Sequence, residues 1–363
     1  MKDFWPEEYA DLNFDLPEEL IATHPVEPAD HARLMIIDRV RGTITHSRFD
    51  KLSEILRAGD AIFYNATQVE ARRVYLKKPD AEKTFECVFL KSVPPPDLPP
   101  LAGGGAEGRG GTWQVLMRGI RRLKDGQVLQ AVKDPAFEFL LHRADDKIFV
   151  TTHRPLGAAD FARIGEMPIP PYMRRAATAD EADTYQNFFK HQIAEKEKVQ
   201  GSAASPTAAL HFTTGLHMKL REQGVDLYPL CLDIGYGTFA PLTAENFSQG
   251  ELHAEHYYIP PLTAEKFAGA VTGRKIALGT TSLRCLISYQ RSGKAEGETA
   301  LFVTPRDNVS GIDGLITNFH LPQSSLLLLT AAVCRRELLA QAYRAAIRER
   351  YRFYSYGDAM LII

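Results

Sequence analysis

Two textures of apolar and polar positions alternate along the chain. Near the start, Asp15-Leu-Pro-Glu-Glu-Leu-Ile-Ala22 predicts a short helix opened by Asp15, with Pro17 in its first turn and acids at its positive end. Arg33-Leu-Met-Ile-Ile-Asp38 and Thr43-Ile-Thr45, separated by Arg-Val-Arg-Gly, predict a hairpin. A helical stretch around Leu52 to Leu56 precedes Ala61-Ile-Phe-Tyr64, an unbroken apolar run that reads as a buried strand ending at Asn65.

From about Glu70 to Ile164 the pattern shifts to short alternating stretches: Phe85 to Leu90, Trp113 to Met117, Gln127 to Val132 and Lys147 to Thr152. Closely spaced short strands predict a small β-barrel or sandwich. Val93 to Gly111, Pro-rich and then Gly-rich, reads as a surface loop or linker. After Met167-Pro-Ile-Pro-Pro-Tyr172, longer helices and buried strands return, at Tyr228 to Ile234, at Lys275 to Leu278 and in a helical stretch from Ser324 to about Tyr351. The expectation is an α/β main domain (1–69 and 165–363) with an inserted small β-barrel domain (70–164).

Length and composition narrow the class. At 363 residues, 45% hydrophobic and 24% charged, the chain has ample apolar material for a core and too little clustering for a membrane protein. Its apolar stretch from Leu326 to Cys334 is far shorter than the roughly 20 residues that cross a bilayer. Acids near the N-terminus do not read as a secretory signal, so a cytoplasmic protein without a membrane partner is expected. Cys87, Cys231, Cys285 and Cys334 form no C-x-x-C pair and read as reduced core residues. With a net charge of −2, any nucleic-acid site must be a local basic patch.

The Gly-rich dinucleotide loop, the Walker loop and the G-x-S-x-G elbow are all absent from the sequence. Instead, polar Gly- and Thr-rich turns follow apolar runs. Gly201-Ser-Ala-Ala-Ser-Pro-Thr-Ala-Ala-Leu-His-Phe212, carrying Thr207 and His211, places small residues ahead of a helix, as a cap or as an anion site. Asp233-Ile-Gly-Tyr-Gly-Thr-Phe-Ala-Pro241, with Gly235, Gly237 and Thr238, permits close backbone approach to a ligand and is equally a plain turn. Gly279-Thr-Thr-Ser-Leu-Arg284 follows a buried strand and opens a helix, so Thr280, Thr281, Ser282 and Arg284 fall where α/β folds bind ligands.

His253-Ala-Glu-His256 lacks the i, i+4 spacing of a helical metal pair, which leaves a polar strand edge or an acid/base pair; no metal is expected. Asn318 and His320 stand in a polar turn after Leu315-Ile316, where a lone histidine is usually structural. Basic residues gather at Arg72, Arg73, Lys77 and Lys78, at Arg118, Arg121, Arg122 and Lys124, and at Arg344, Arg348, Arg350 and Arg352. Such runs are solvated faces or, taken together, a track for a phosphate backbone. Tyr351, Phe353, Tyr354 and Tyr356 either stack on unpaired bases or belong to the core.

Phe14-Asp-Leu-Pro-Glu-Glu-Leu-Ile-Ala22, Pro168-Ile-Pro-Pro-Tyr172, Pro206-Thr-Ala-Ala-Leu-His-Phe212, Gly279-Thr-Thr-Ser-Leu-Arg284, Asp313-Gly-Leu-Ile-Thr-Asn-Phe-His-Leu-Pro322 and Tyr351-Arg-Phe-Tyr-Ser-Tyr-Gly-Asp-Ala-Met360, in this order, resemble the queuosine tRNA-ribosyltransferase-isomerase family over nearly the whole chain. The resemblance implies an α/β domain with an inserted barrel. It also implies S-adenosylmethionine as co-substrate with no prosthetic group, and as partner a tRNA carrying 7-aminomethyl-7-deazaguanine at the wobble position. The implied products are epoxyqueuosine-tRNA, adenine and methionine. A monomer is expected.

Such a reaction needs a base for the proton of the sugar 5′ carbon, a donor for the departing adenine and a water-excluding pocket. On the family-like segments, Glu255 or His253 is the candidate base, and His211 or His320 the candidate donor. The Gly279 to Ser282 turn with Arg284 is the candidate holder of the methionine carboxylate or a phosphate. Thr207, Gly235, Gly237, Thr238, Asp313 and Asn318 complete the candidate binding set.

The sequence departs from the family pattern at several points. Asn65-Ala-Thr-Gln68 stands where the family usually has Asn-Asp-Thr-Arg, Asp233 replaces a histidine, and Ala209 replaces a glycine. Thr304-Pro-Arg-Asp-Asn308 replaces an aromatic Pro-Gly turn, and an arginine shortly before Arg33 is missing. These changes admit two other readings: a paralogue passing the ribosyl group to another acceptor, or a non-catalytic RNA-binding relative.

Overall fold

The computed structural model describes residues 4–93, 110–144, 147–190, 192–193, 201–235 and 241–363. They fall into two compact units: Met1–Gln68 with Thr184–Val199 and Ser205–Ile363, and Val69–Asp183 with Gln200–Ala204.

The first unit is built on a nine-stranded mixed sheet. Its strands are β1 (Arg33–Asp38), β2 (Thr43–Arg48), β3 (Ala61–Asn65), β11 (Asp226–Leu232), β12 (Glu251–Tyr258), β13 (Lys275–Leu278), β14 (Glu296–Leu301), β15 (Gly314–Asn318) and β16 (Ala359–Ile362). They run in the order β14-β12-β11-β3-β13-β15-β16-β1-β2. β3, β11, β13 and β15 are mutually parallel, so their carboxyl ends emerge at one edge of the sheet. All five residues of β3 and of β15 are buried, as expected for central strands with both faces covered. Helices Thr214–Glu222, Thr280–Ser292, Ser325–Val333 and Arg336–Arg348 supply much of that cover.

The second unit contains β4 (Arg73–Lys77), β5 (Thr84–Val93), β6 (Thr112–Met117), β7 (Val128–Ala131), β8 (Glu138–Ala144), β9 (Lys147–Thr151) and β10 (Gly165–Glu166). Strands β4-β5-β6-β9-β8-β7 pair in sequence, and Leu76↔Ala131 with Lys77↔Gln130 joins the last strand to the first. A closed antiparallel barrel results, as the alternating pattern predicted. Closure removes the exposed strand edges that an open sheet would leave. Phe85, Cys87, Phe89, Trp113, Val115, Phe139 and Leu141 point inward, and Phe161 packs edge-on against Phe89 and Trp113.

Two local expectations are corrected. The stretch around Asp15 forms only a single 3₁₀ turn, Glu18–Leu20, because Pro17 sits in extended backbone at its cap. The long C-terminal helix is two helices broken at Cys334, whose extended φ of −109° and ψ of 147° ends the first. The first is apolar nearly all round and lies inside the fold, whereas the second carries one apolar face, and the break lets each take its own direction. Of the two readings of the aromatic C-terminal run, core is the one seen: Tyr351, Phe353 and Tyr356 are buried, with the Phe319 ring packed at a tilt against Tyr351 and Phe353. The four cysteines are buried. Among the described residues, no helix is long and apolar enough to cross a membrane. Most of the Pro- and Gly-rich loop lies outside the described residues.

Candidate active site

Polar groups close or follow the parallel strands at the sheet's carboxyl edge: Asn65 ends β3, Asp233 follows β11, the Thr280 helix start follows β13, and Asn318 ends β15. Glu255 on β12 is 5% exposed and Arg284, on the second turn of the helix after β13, is 8% exposed. They form an ion pair, and the Gly235 N–H donates to Glu255 Oε1 at 2.8 Å. A buried carboxylate is tolerated only with countercharge and donors, and Arg284 and Gly235 supply both. Burial pushes the Arg284 guanidinium down to about 10, so it stays charged at neutral pH. Nothing in the sequence spacing pairs residues 29 positions apart; the β11–β12 contact and the helix after β13 bring them together.

Gly279 ends β13 with φ 86° and ψ 153°, a region open to glycine and hardly to any other residue. This reversal starts the helix Thr280–Ser292 at the sheet edge, where the amides of Thr280, Thr281 and Ser282 lack intrahelical acceptors. Ser282 Oγ donates back to the Leu278 carbonyl at 2.6 Å, while Thr281 Oγ1 is buried without a hydrogen bond. Ala208, beside Thr207 in the 3₁₀ turn Thr207–His211, lies 3.6 Å from where a Gly279 Cβ would stand.

His211 is 4% exposed, and its Nε2 lies 3.2 Å from Asn318 Oδ1. Both Asn318 amide hydrogens go to the carbonyls of Tyr354 and Ser355, so Oδ1 must accept and His211 Nε2 must carry the hydrogen. Burial lowers the imidazole to about 4, outweighing its contacts with Asn318 and the Ala29 backbone. His320, 8% exposed, meets Thr317 Oγ1 through Nε2 at 3.0 Å, and burial lowers it to about 3. Both histidines are therefore neutral at pH 7.

Other candidates are placed differently. His253 is exposed on β12, two residues from Glu255. Asp313 is exposed at the opposite end of β15, where its carboxylate accepts from the Lys275 N–H at 2.8 Å, so it ties the starts of β13 and β15 and does not join the carboxyl-edge cluster. Gly237 and Thr238 lie outside the described residues. Among the described residues, no group of three or more His, Cys, Asp or Glu is arranged to hold a metal. Of the basic runs, Arg72 and Arg73 are buried, paired with Glu70 at 2.7 Å and Glu86 at 3.2 Å, which removes them from any phosphate track.

An amide knot stands at the same edge, built on residues outside the candidate set. Asn65 accepts from the N–H groups of Thr67 and Leu232 and donates to the Leu232 carbonyl, which locks β3 to β11. Asn187 donates to the carbonyls of Asn65 and Thr67, both at 2.8 Å. Thr67 Oγ1 then reaches Asp233 Oδ1 at 3.3 Å. The one available signal was a polar Asn65 closing an otherwise apolar strand.

Backbone donors, a buried carboxylate–guanidinium pair and neutral histidines thus stand along the carboxyl edge of an α/β sheet, the edge at which enzymes of this fold class bind their ligands, in a chain that also carries a β-barrel. A family model described as queuosine biosynthesis protein matches residues 9–362. The S-adenosylmethionine:tRNA ribosyltransferase-isomerase of Sulfurihydrogenibium sp. (strain YO3AOP1) is 37% identical over 356 residues, covering 98% of this chain and 99% of that protein. The protein of the same name from Rubrobacter xylanophilus is 37% identical over 353 residues, 97% of each. The crystal structure of S-adenosylmethionine tRNA ribosyltransferase from Thermotoga maritima aligns over 97% of this chain and 100% of its own, with a TM-score of 0.51 and 27% identity. The chain belongs to the queuosine biosynthesis protein family.

Proposed function

We propose that this protein is an S-adenosylmethionine:tRNA ribosyltransferase-isomerase. It transfers and isomerises the ribosyl part of S-adenosylmethionine onto 7-aminomethyl-7-deazaguanine at the tRNA wobble position, releasing adenine and methionine. Full-length similarity to relatives of that name supports this reading. The observation that carries it onto the carboxyl edge is the buried Glu255, held by Arg284 and Gly235 beside a helix N-terminus.

In this scheme Glu255 takes the proton from the sugar 5′ carbon, which the neighbouring sulfonium acidifies. Its burial, against the exposure of His253, favours it as the base, since a base shielded from water does not spend its basicity on solvent. His211 and His320 serve as neutral donors near the adenine, His211 by turning to the leaving base the Nε2 hydrogen that it otherwise gives to Asn318. The amides of Thr280 to Ser282 receive the methionine carboxylate. Thr207, Gly235 and Asn318 line the remainder, and Gly237 and Thr238 belong to the same proposed binding set. The aminomethyl nitrogen of the tRNA base then attacks the rearranged sugar and methionine departs. No step calls for a prosthetic group. The protein works in the cytoplasm as a monomer.

Incubation with S-adenosylmethionine and tRNA bearing the 7-aminomethyl-7-deazaguanine base tests the reading. Adenine release together with an epoxyqueuosine nucleoside by mass spectrometry is expected. Adenine without modified tRNA would replace it with a different acceptor, and neither product from folded protein would leave a binding-only relative.

A further inference from the structure

Of the three basic runs in the sequence, one sets three exposed cations without ion pairs on a single turn, whereas in the other two Arg344 is the exposed cation without an ion pair among the described residues. That turn is the connection from β6 to β7 in the barrel, between Met117 and Val128. Arg72 and Arg73 are buried in ion pairs, and in the C-terminal run Arg348 pairs with Glu349 at 3.2 Å and Arg350 with Glu19 at 3.7 Å. At the β6–β7 connection, by contrast, the side chains of Arg121, Arg122 and Lys124 are exposed, and among the described residues none of the three forms an ion pair. Only Arg118, at the start of the connection, is neutralised, by Glu86 at 3.1 Å.

This connection is held in one shape. Gly119 reverses the chain with φ 75°, and a 3₁₀ turn follows over Ile120–Arg122. Arg143 on β8 donates through Nη2 to the carbonyls of Ile120 at 2.6 Å and Leu123 at 2.8 Å, and its backbone N–H donates to Asp125 Oδ1 at 2.8 Å. Leu123 anchors the centre of the turn in the barrel core. The one carboxylate of the turn, Asp125, is thus spent on the clamp.

A run that is merely solvated has no reason to be braced, and side chains rooted in fixed backbone lose less entropy on binding a partner. Two guanidinium forks and an ammonium in adjacent positions suit consecutive phosphates, which guanidinium groups grip through paired donors. We propose that Arg121, Arg122 and Lys124 on the β6–β7 turn are a docking surface for the phosphate backbone of the tRNA substrate. The inference rests on the tRNA-modifying function proposed above and adds where the barrel holds that RNA.

The test compares wild type with R121E/R122E/K124E and the milder R121Q/R122Q/K124Q, measuring KM for the precursor tRNA and the dependence of tRNA affinity on salt. K219E/R221E on the exposed face of the helix Thr214–Glu222 controls for a general change of charge. Loss of up to three phosphate contacts predicts a tRNA KM raised by on the order of tenfold or more, and a log–log salt slope shallower by about two. The glutamine variant should show the same trend with an unchanged melting temperature, and the helix control should leave both quantities near wild type. Unchanged KM and slope in the glutamine variant would overturn the proposal, as would an equal loss in the helix control. A wild type that neither binds nor modifies tRNA would instead remove the function on which the proposal rests.

Discussion

Substituting either member of the Glu255–Arg284 pair leaves the other as an uncompensated buried charge. At 5% and 8% exposure, neither side chain has water to turn to. Breaking such a pair typically costs about 3–5 kcal/mol, roughly a 160-fold or larger shift in the folding equilibrium at the lower bound. Arg284→Met and Glu255→Gln should each show this loss in urea denaturation monitored by circular dichroism. The double variant removes both charges together, so its loss should fall well short of the sum, by about 2 kcal/mol or more of coupling. Activity is expected to behave differently. If Glu255 is the base, adenine release falls by at least about a hundredfold in Glu255→Gln and does not return in the double variant, although stability largely does. Additive stability losses would refute the pairing. A double variant that releases adenine at the wild-type rate would refute the catalytic assignment.

Three further outcomes follow from the same edge of the sheet. His211 is lowered to about 4 by burial, so its neutral form contributes stability that is complete above its ordinary value of 6.5 and drains away as pH falls towards 4. His211→Gln should shrink the loss between pH 7 and pH 4 by about 3 kcal/mol in denaturant titrations at stepped pH; an unchanged acid limb would show that this imidazole is not buried neutral. Gly279→Ala meets neighbours no nearer than 3.6 Å, so its cost is backbone strain of about 1–3 kcal/mol, and a melting temperature equal to wild type would argue against the φ of 86°. Asn187→Ala strands the carbonyls of Asn65 and Thr67 and should lower stability by about 1–3 kcal/mol, whereas an unaffected denaturation midpoint would mean that other groups hold the knot.

Patterns that depend on neighbours in sequence were legible, and those that depend on neighbours in space were not. The apolar run at Ala61 and the strand Lys275–Leu278 stood out because a central parallel strand is apolar on both faces. The alternation at Phe85 and Trp113 marked a barrel wall with one wet side. β12 was harder to see: His253-Ala-Glu-His256 read as a polar strand edge or an acid/base pair, and only its place between β11 and β14 explains why Glu255 is buried while His253 is not. Arg72 read as part of a solvated face or a phosphate track, yet its guanidinium lies 4.9 Å over the Trp113 ring with Glu70 alongside, a site assembled by the pairing of β4, β5 and β6. Asp313 belonged to a motif whose far end, Asn318 and His320, reaches the carboxyl edge. A five-residue strand separates the two ends, so membership of one motif did not mean membership of one site.

The position of β16 has a consequence for biosynthesis. Strands β1 and β2 are made early, but the sheet neighbour of β1 is Ala359–Ile362, and Arg33 bonds Asp358 across 325 residues. While the ribosome works through the intervening length, the hairpin has no partner on that side, and the apolar row Leu34, Met35 and Ile37, fully enclosed in the finished protein, borders an open strand edge. Joining β1 to β15 through β16 is therefore a late, long-range event of the slow-folding kind. A nascent chain of this protein is committed to carrying an unfinished edge through the synthesis of the 325 positions from Arg33 to Asp358, the interval in which holding chaperones would matter most.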